Sequence, residues 1–268
     1  MCCPPCRACL VAWAVLWCLG EGTLFAQEQP VRRPGILLVL GGGLGGSDAI
    51  DGFNGAFAGT GYPWRLRGLS WSPSDSSSLL EATKDVRHHR EKGAQLARTV
   101  LEYRAAYPGL TICLAGYSAG CAVILSAAEF LPPGSVDRII LLAPAVSALH
   151  DVRPALLCSR LGVDAFCSAA DSVFACFGSV FAATDSSEIE YAGLIGFRFR
   201  VQPGEEWLYR KLRQHFWHPS MEWTGHTGGH FGCTKPQFLH TYVLPLLLEA
   251  SLSPPTRTQP GERPAAWR

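Results

Sequence analysis

The chain has 268 residues, 48% of them hydrophobic and 17% charged, which suits one large domain with a well-buried core and excludes a globally disordered polypeptide. Its 23 basic and 22 acidic residues leave a net charge of +1, without the basic excess that a nucleic-acid-binding face requires. The short His88-His89-Arg90 run does not change that balance.

At the N-terminus, Arg7 precedes an apolar run over residues 9–19, and small and polar residues follow up to Ala26-Gln27. A positive start, a short apolar middle and a small residue at the end describe a secretory signal peptide. The expected division is therefore a leader over 1–26, a catalytic-sized domain over 27–250 and a disordered tail over 251–268. Export is the expected location. An uncleaved leader would instead act as a membrane anchor, although the run is shorter than the ~20 residues of a comfortable span. Five of the 11 cysteines (Cys2, Cys3, Cys6, Cys9 and Cys18) lie in this leader. The Cys3-x-x-Cys6-x-x-Cys9 spacing has no nearby fourth ligand, so no metal site is expected there. Cys113 and Cys121 read as packed thiols, and Cys158 with Cys167 as a candidate disulfide of an exported protein.

Residues 35–40 (GILLVL) form a continuous apolar run that breaks into Gly41-Gly42-Gly43-Leu44-Gly45-Gly46, the pattern of a strand buried on both faces. Residues 64–71 are a second, more polar strand candidate. From 85 to 107, Ala94, Ala97, Leu101 and Ala105 recur at three- and four-residue steps, which predicts a helix. Residues 110–115 give the next buried strand, 119–130 a helix rich in small residues, 136–142 a strand and 163–167 a weaker strand. A last helical stretch over 233–250 has Pro236 near its start, where proline is tolerated. This alternation, without any internal repeat, predicts an α/β fold with a mainly parallel sheet covered on both faces by helices.

The strand at 110–115 runs directly into Gly116-Tyr117-Ser118-Ala119-Gly120, a G-x-S-x-G elbow in the strand-to-helix context it needs. Ser118 is the expected nucleophile. The N–H of Ala119 and one from the first glycine loop, Leu44 or Gly43, are the expected oxyanion donors. No P-loop lysine follows those glycines, which argues against a phosphate cradle. A serine nucleophile needs a base. Among the eight histidines, His88 and His89 read as solvated on a polar helix face, while His215 and His218 sit among aromatics. His226 and His230 share a glycine-rich loop before the last helix, where the chain order Ser, acid, His places the base. His230 is favoured as the nearer to the helix, and His226 is the alternative. For the acid, Asp171 after the 163–167 strand fits best, with Asp151 and Asp185 as alternatives. Each of these aspartates could equally serve as a cap or turn residue. The aromatic stretch 174–181 reads equally as an acyl pocket or as core.

These residues resemble the α/β-hydrolase superfamily over roughly residues 35–250. More narrowly, the chain is similar to bacterial serine hydrolases of planctomycete type, through AGYSAG (115–120), LLAPAVSALHDV (141–152), Ser168-x-x-Asp171, YAGLIGF (191–197) and GGHFG (228–232). The resemblance implies Ser118, Asp171 and His230 as the triad, in a sheet that lacks sequence for the usual leading antiparallel strands. The expected activity is hydrolysis of a small-molecule carboxylic ester, with thioesterase or acyltransferase chemistry on the same parts as the near alternative. A catalytically silent hydrolase fold serving as a binding or scaffold protein is the alternative from another class. No metal or organic cofactor is implied.

Overall fold

The computed structural model describes residues 32–43, 47–71, 85–177 and 190–252. The expected leader, the tail beyond 252, Leu44 and Asp185 lie outside these described residues.

Six strands among them form one sheet: β1 (Gly35–Leu40), β2 (Trp64–Leu69), β3 (Thr111–Tyr117), β4 (Arg138–Leu142), β5 (Val163–Cys167) and β6 (Leu212–Phe216). Their order is β2-β1-β3-β4-β5-β6 and every neighbouring pair is parallel. The helices are α1 (Asp48–Phe57), α2 (Val86–Ala106), α3 (Gly120–Ala128), α4 (Arg153–Cys158), α5 (Ser172–Phe177), α6 (Ala192–Ile195) and α7 (Glu206–Tyr209). The chain closes with α8 (Pro236–Phe238), a π-helical turn (Leu239–Val243) and α9 (Leu244–Leu252). This is the expected parallel sheet covered by helices, and no antiparallel strand precedes β1 among the described residues.

The central strands alternate between two apolar layers, as a doubly covered sheet requires. Ile36, Leu38, Ile112, Leu114, Ile139 and Leu141 pack with α2, α3 and α4 on one face. Leu37, Val39, Cys113, Ala115, Ile140 and Leu142 pack with α1 and the C-terminal helical run on the other. Each Leu or Ile so enclosed contributes about 1.5–3 kcal/mol relative to exposure. The strand order reverses between β1 and β3, and a reversal of this kind opens a crevice at the carboxyl edge of a parallel sheet. The glycine loop after β1 and the elbow after β3 flank that crevice.

Helices α1, α4, α5, α6 and α7 and strand β6 have no counterpart among the elements expected from the sequence, and α1 and β6 show why. Helix α1 carries Gly52 and Gly55, a residue type disfavoured in a helix interior. A Cβ on Gly52 would come within 2.0 Å of the Thr234 carbonyl, and one on Gly55 within 2.9 Å of Pro236, so both glycines permit close packing against the C-terminal helical run. Strand β6 (LRQHF) is polar because it is an edge strand whose side chains have partners. Gln214 accepts from the Phe197 N–H at 2.6 Å, and Arg213 and His215 both reach Asp164.

Two further expectations are corrected. His89 is buried, not solvated, and its ring meets Trp71 edge-on at 5.5 Å. Cys158 and Cys167 are free buried thiols rather than a disulfide, and burial pushes each up to about 12.

Ion pairs close the sheet where apolar packing does not. Asp137, at the amino edge of β4, accepts from the Ile112 N–H at 2.8 Å, Arg104 at 2.7 Å and Arg160 at 2.9 Å. Burial raises its carboxyl pKa, but these donors outweigh burial and hold it below the usual value. Arg138 and Asp164 are both fully enclosed and pair at 2.7 Å, and the second Arg138 nitrogen reaches Glu249 on α9 at 2.6 Å. Removing one partner of such a pair strands a charge in the core. Asp164→Ala is expected to lower unfolding stability by about 3–5 kcal/mol, read from urea denaturation.

Candidate active site

The elbow follows from local sterics. Ser118 adopts φ 53, a left-handed conformation that non-glycine residues rarely take. A Cβ on Gly116 would lie 2.9 Å from the Cys121 backbone, and one on Gly120 only 2.4 Å from the Gly41 carbonyl oxygen. The turn therefore accepts no side chain at either glycine. The Ser118 N–H donates to the Leu142 carbonyl at 2.9 Å, and the Ala145 N–H donates to the Ser118 carbonyl at 3.2 Å. The end of β4 and the chain after it thus clamp Ser118 from both sides of its peptide. That same chain bends through Ala143 at φ 44, a second left-handed non-glycine residue.

The structure brings Ser118, His230 and Asp171 into one hydrogen-bonded line. His230 Nε2 lies 2.9 Å from Ser118 Oγ, and His230 Nδ1 lies 2.7 Å from Asp171 Oδ2. Ser118 is half-buried, whereas His230 and Asp171 are buried. Asp171 serves two purposes: its other oxygen, Oδ1, accepts the N–H groups of Val173 at 3.0 Å and Phe174 at 3.3 Å, capping the first turn of α5. One carboxylate thus caps α5 and meets His230 at the same time.

The alternatives lie elsewhere. His226 is 4% exposed and makes a different bond: its Nδ1 accepts from the Gly228 N–H at 3.1 Å. Burial pushes its pKa down to about 4, against an upward pull from Asp171. Asp151 is exposed and forms a local ion pair with Arg153 at 2.6 Å. The Arg153 guanidinium holds its carboxyl below the usual range. Of the two expected oxyanion donors, Ala119 immediately precedes α3, so its N–H belongs to the opening turn, whose donors lack intrahelical acceptors. The glycine loop passes beside Ser118, since a Cβ on Gly42 would stand 3.5 Å from Ser118 Cβ.

Several supporting residues were not singled out by their sequence. Ser168 Oγ donates to the Gly228 carbonyl at 2.6 Å, and Trp217 Nε1 donates to the His226 carbonyl at 2.7 Å, so both pin the histidine loop. The Tyr117 and Phe174 rings pack on His230 at 5.2 and 4.7 Å, and Tyr191 stacks on Phe174 at 4.6 Å. The only sequence sign of these roles is the place of Ser168, Tyr117 and Tyr191 within the stretches quoted above. Phe174 thus belongs to the wall of the site, while residues 178–181 of its aromatic stretch lie outside the described residues.

No protein-family model and no curated protein matches the chain. Solved structures similar to it include a Trichoderma reesei cutinase in complex with a phosphonate inhibitor, at 19% identity over 43% of this chain and 53% of that chain, TM-score 0.31. A Thermus thermophilus protein aligns at 18% identity over 84% and 91% of the two chains, TM-score 0.46. The catalytic core domain of acetyl xylan esterase from Trichoderma reesei aligns at 11% identity over 82% and 98%, TM-score 0.44. The match to the cutinase spans about half of that enzyme's length.

The His226 environment sets a pH dependence. Its unfolded value is near 6.5 and its folded value about 4, so between these pH values the unfolded chain binds a proton that the folded chain does not. Stability is expected to fall as pH drops from 6.5 towards 4 and to level off below that. His226→Gln should flatten this part of the curve, measured as melting temperature against pH.

Proposed function

We propose that the protein is a serine hydrolase acting on carboxylic esters, with Ser118 as nucleophile, His230 as base and Asp171 as the group that orients it. The observation that carries this reading is the Ser118–His230–Asp171 hydrogen-bonded line, beginning at a left-handed serine on a strand-to-helix elbow. In the first step Ser118 Oγ attacks the ester carbonyl while His230 Nε2 takes its proton. Asp171 accepts a hydrogen bond from Nδ1–H and stabilises the imidazolium that results. The oxyanion receives the N–H of Ala119 and one from the glycine loop, Gly43 or Leu44. Collapse expels the alkoxide, which takes the proton from His230 as an alcohol and leaves Ser118 acylated. Water, deprotonated by the same histidine, then releases the acid and restores the serine.

The narrower likeness to planctomycete-type hydrolases rests on the quoted stretches alone. The charged start and apolar run before Gln27 support export, with the leader removed near Ala26. N-terminal sequencing of the expressed protein tests this: a mature chain beginning at Gln27 excludes the membrane anchor.

The decisive experiment is labelling with a fluorophosphonate probe. Wild type is expected to label and Ser118→Ala not to. A folded wild type that stays unlabelled overturns the serine-hydrolase reading in favour of a silent scaffold. His230→Ala should lower ester turnover by about 10²–10⁴-fold, far more than His226→Ala. The reverse ranking would exchange the roles of the two histidines.

A further inference from the structure

We infer that Phe174 is a positioning residue of this site, seating the His230 imidazole between Asp171 and Ser118. Its consequence for turnover rests on the serine-hydrolase reading. Phe174 meets the acid and the base through different parts of itself. Its backbone N–H donates to Asp171 Oδ1 at 3.3 Å, beside that of Val173 at 3.0 Å, which leaves Oδ2 free to meet His230 Nδ1. Its ring turns back to meet the imidazole edge-on, with centroids 4.7 Å apart and planes at 80°. The same residue therefore sets the direction of the carboxylate and the plane of the imidazole.

The ring is itself held. Tyr191 stacks on it at 4.6 Å and 17°. On another side Gly193 leaves room that any Cβ would fill, only 2.4 Å from the ring. The backbone of this support is anchored to the loop that clamps the nucleophile: Ala192 N–H donates to Val146 at 2.8 Å and Gly193 N–H to Pro144 at 2.9 Å. Gly193 also accepts from the Ser168 N–H at 2.8 Å, which ties it to the chain leaving β5. Packing thus runs from the nucleophile's loop through Gly193 and Phe174 to the base. The other rings on His230 stand farther off, Tyr117 at 5.2 Å and Phe231 at 5.7 Å, and Phe231 is exposed.

Geometry gives this contact its weight. Both imidazole nitrogens must keep their partners while a proton passes through Nε2, and a small rotation about the Cβ–Cγ bond breaks both bonds together. Leucine in place of Phe174 keeps an apolar side chain but removes the flat wall, and misplacement of a reacting group by about 1 Å costs on the order of 100-fold.

The test uses p-nitrophenyl acetate hydrolysis together with the proton NMR resonance of the Asp171–His230 hydrogen bond, which lies downfield of the amides. Phe174→Leu is expected to lower kcat by about 10–100-fold with KM held within about twofold, and to broaden or abolish the downfield resonance. Tyr191→Leu, which removes the support behind the ring, is expected to move both readouts in the same direction by less, and it carries the test if Phe174→Leu does not fold. Leu96→Ala, on α2 in the opposite layer, should leave both unchanged. An unaltered kcat or an unaltered resonance in folded Phe174→Leu overturns the inference, as does an equal loss in Leu96→Ala. A wild type that neither labels nor hydrolyses overturns the hydrolase reading instead, and the resonance alone then decides whether Phe174 seats His230.

Discussion

The left-handed backbone at Ser118 is the constraint on which the rest of the site depends. A non-glycine residue in this conformation costs roughly 1–2 kcal/mol and persists only where its surroundings over-determine it. Here they do so by contact on every side. Gly116 lets the turn close on Cys121, Gly120 lets it close on the Gly41 carbonyl, and the end of β4 with the chain after it takes both polar groups of the serine residue. These contacts demand that β1 and β4 flank β3, which is what the observed strand order supplies. Ala143 at φ 44 shows that the strain is shared: the clamp must itself bend sharply to reach the serine.

The two edges of the sheet are built from different forces. At the amino edge, Asp137 gathers a backbone N–H and the guanidinium groups of Arg104 and Arg160. Deeper in the sheet, Arg138 and Asp164 tie β4 to β5, and Arg213 and Glu249 extend the tie to β6 and α9. Such networks confer register and rigidity more than net stability, because desolvation offsets much of their attraction. The carboxyl edge holds the loops that carry the candidate chemistry, and there fixed geometry comes from short polar bonds to backbone: Ser168 to Gly228, Trp217 to His226 and the N–H groups on Asp171. Rigidity at one edge lets the loops at the other be placed accurately.

What the sequence reveals follows from how local each feature is. The strands β1, β3, β4 and β5 are enclosed on both faces, so an apolar run is enough to mark them. The elbow is legible because its glycines and its strand–helix setting are contiguous in the chain. Strand β6 and helix α1 are not legible for the opposite reason. The polar residues of the first answer to Asp164 and Phe197, and the glycines of the second answer to Thr234 and Pro236, all distant in sequence. His89 illustrates the same limit, since nothing beside it announces Trp71 as its cover. Asp171 reads equally as a cap because one of its oxygens is one, while the other meets His230.

The two histidines of the last loop show how environment divides identical side chains. His226 sits where a Cβ on Gly232 would stand 2.0 Å from its Nδ1, so the glycine four residues before the Pro236 helix start exists to admit that imidazole. Enclosed there, His226 is kept neutral by burial and uses its lone pair on the Gly228 N–H. Gly228 in turn takes φ 88, with a Cβ excluded by Ala170 at 2.9 Å, and its carbonyl is bound by Ser168. The loop is thus closed around one histidine before it presents the other. Because the neutral ring of His226 fixes the turn from within, His230 can point both nitrogens outward, one to Asp171 and one to Ser118. Gly232 is therefore clearance for a buried imidazole and Gly228 the residue of a tight turn, so His230 projects from a loop that His226 fixes from within.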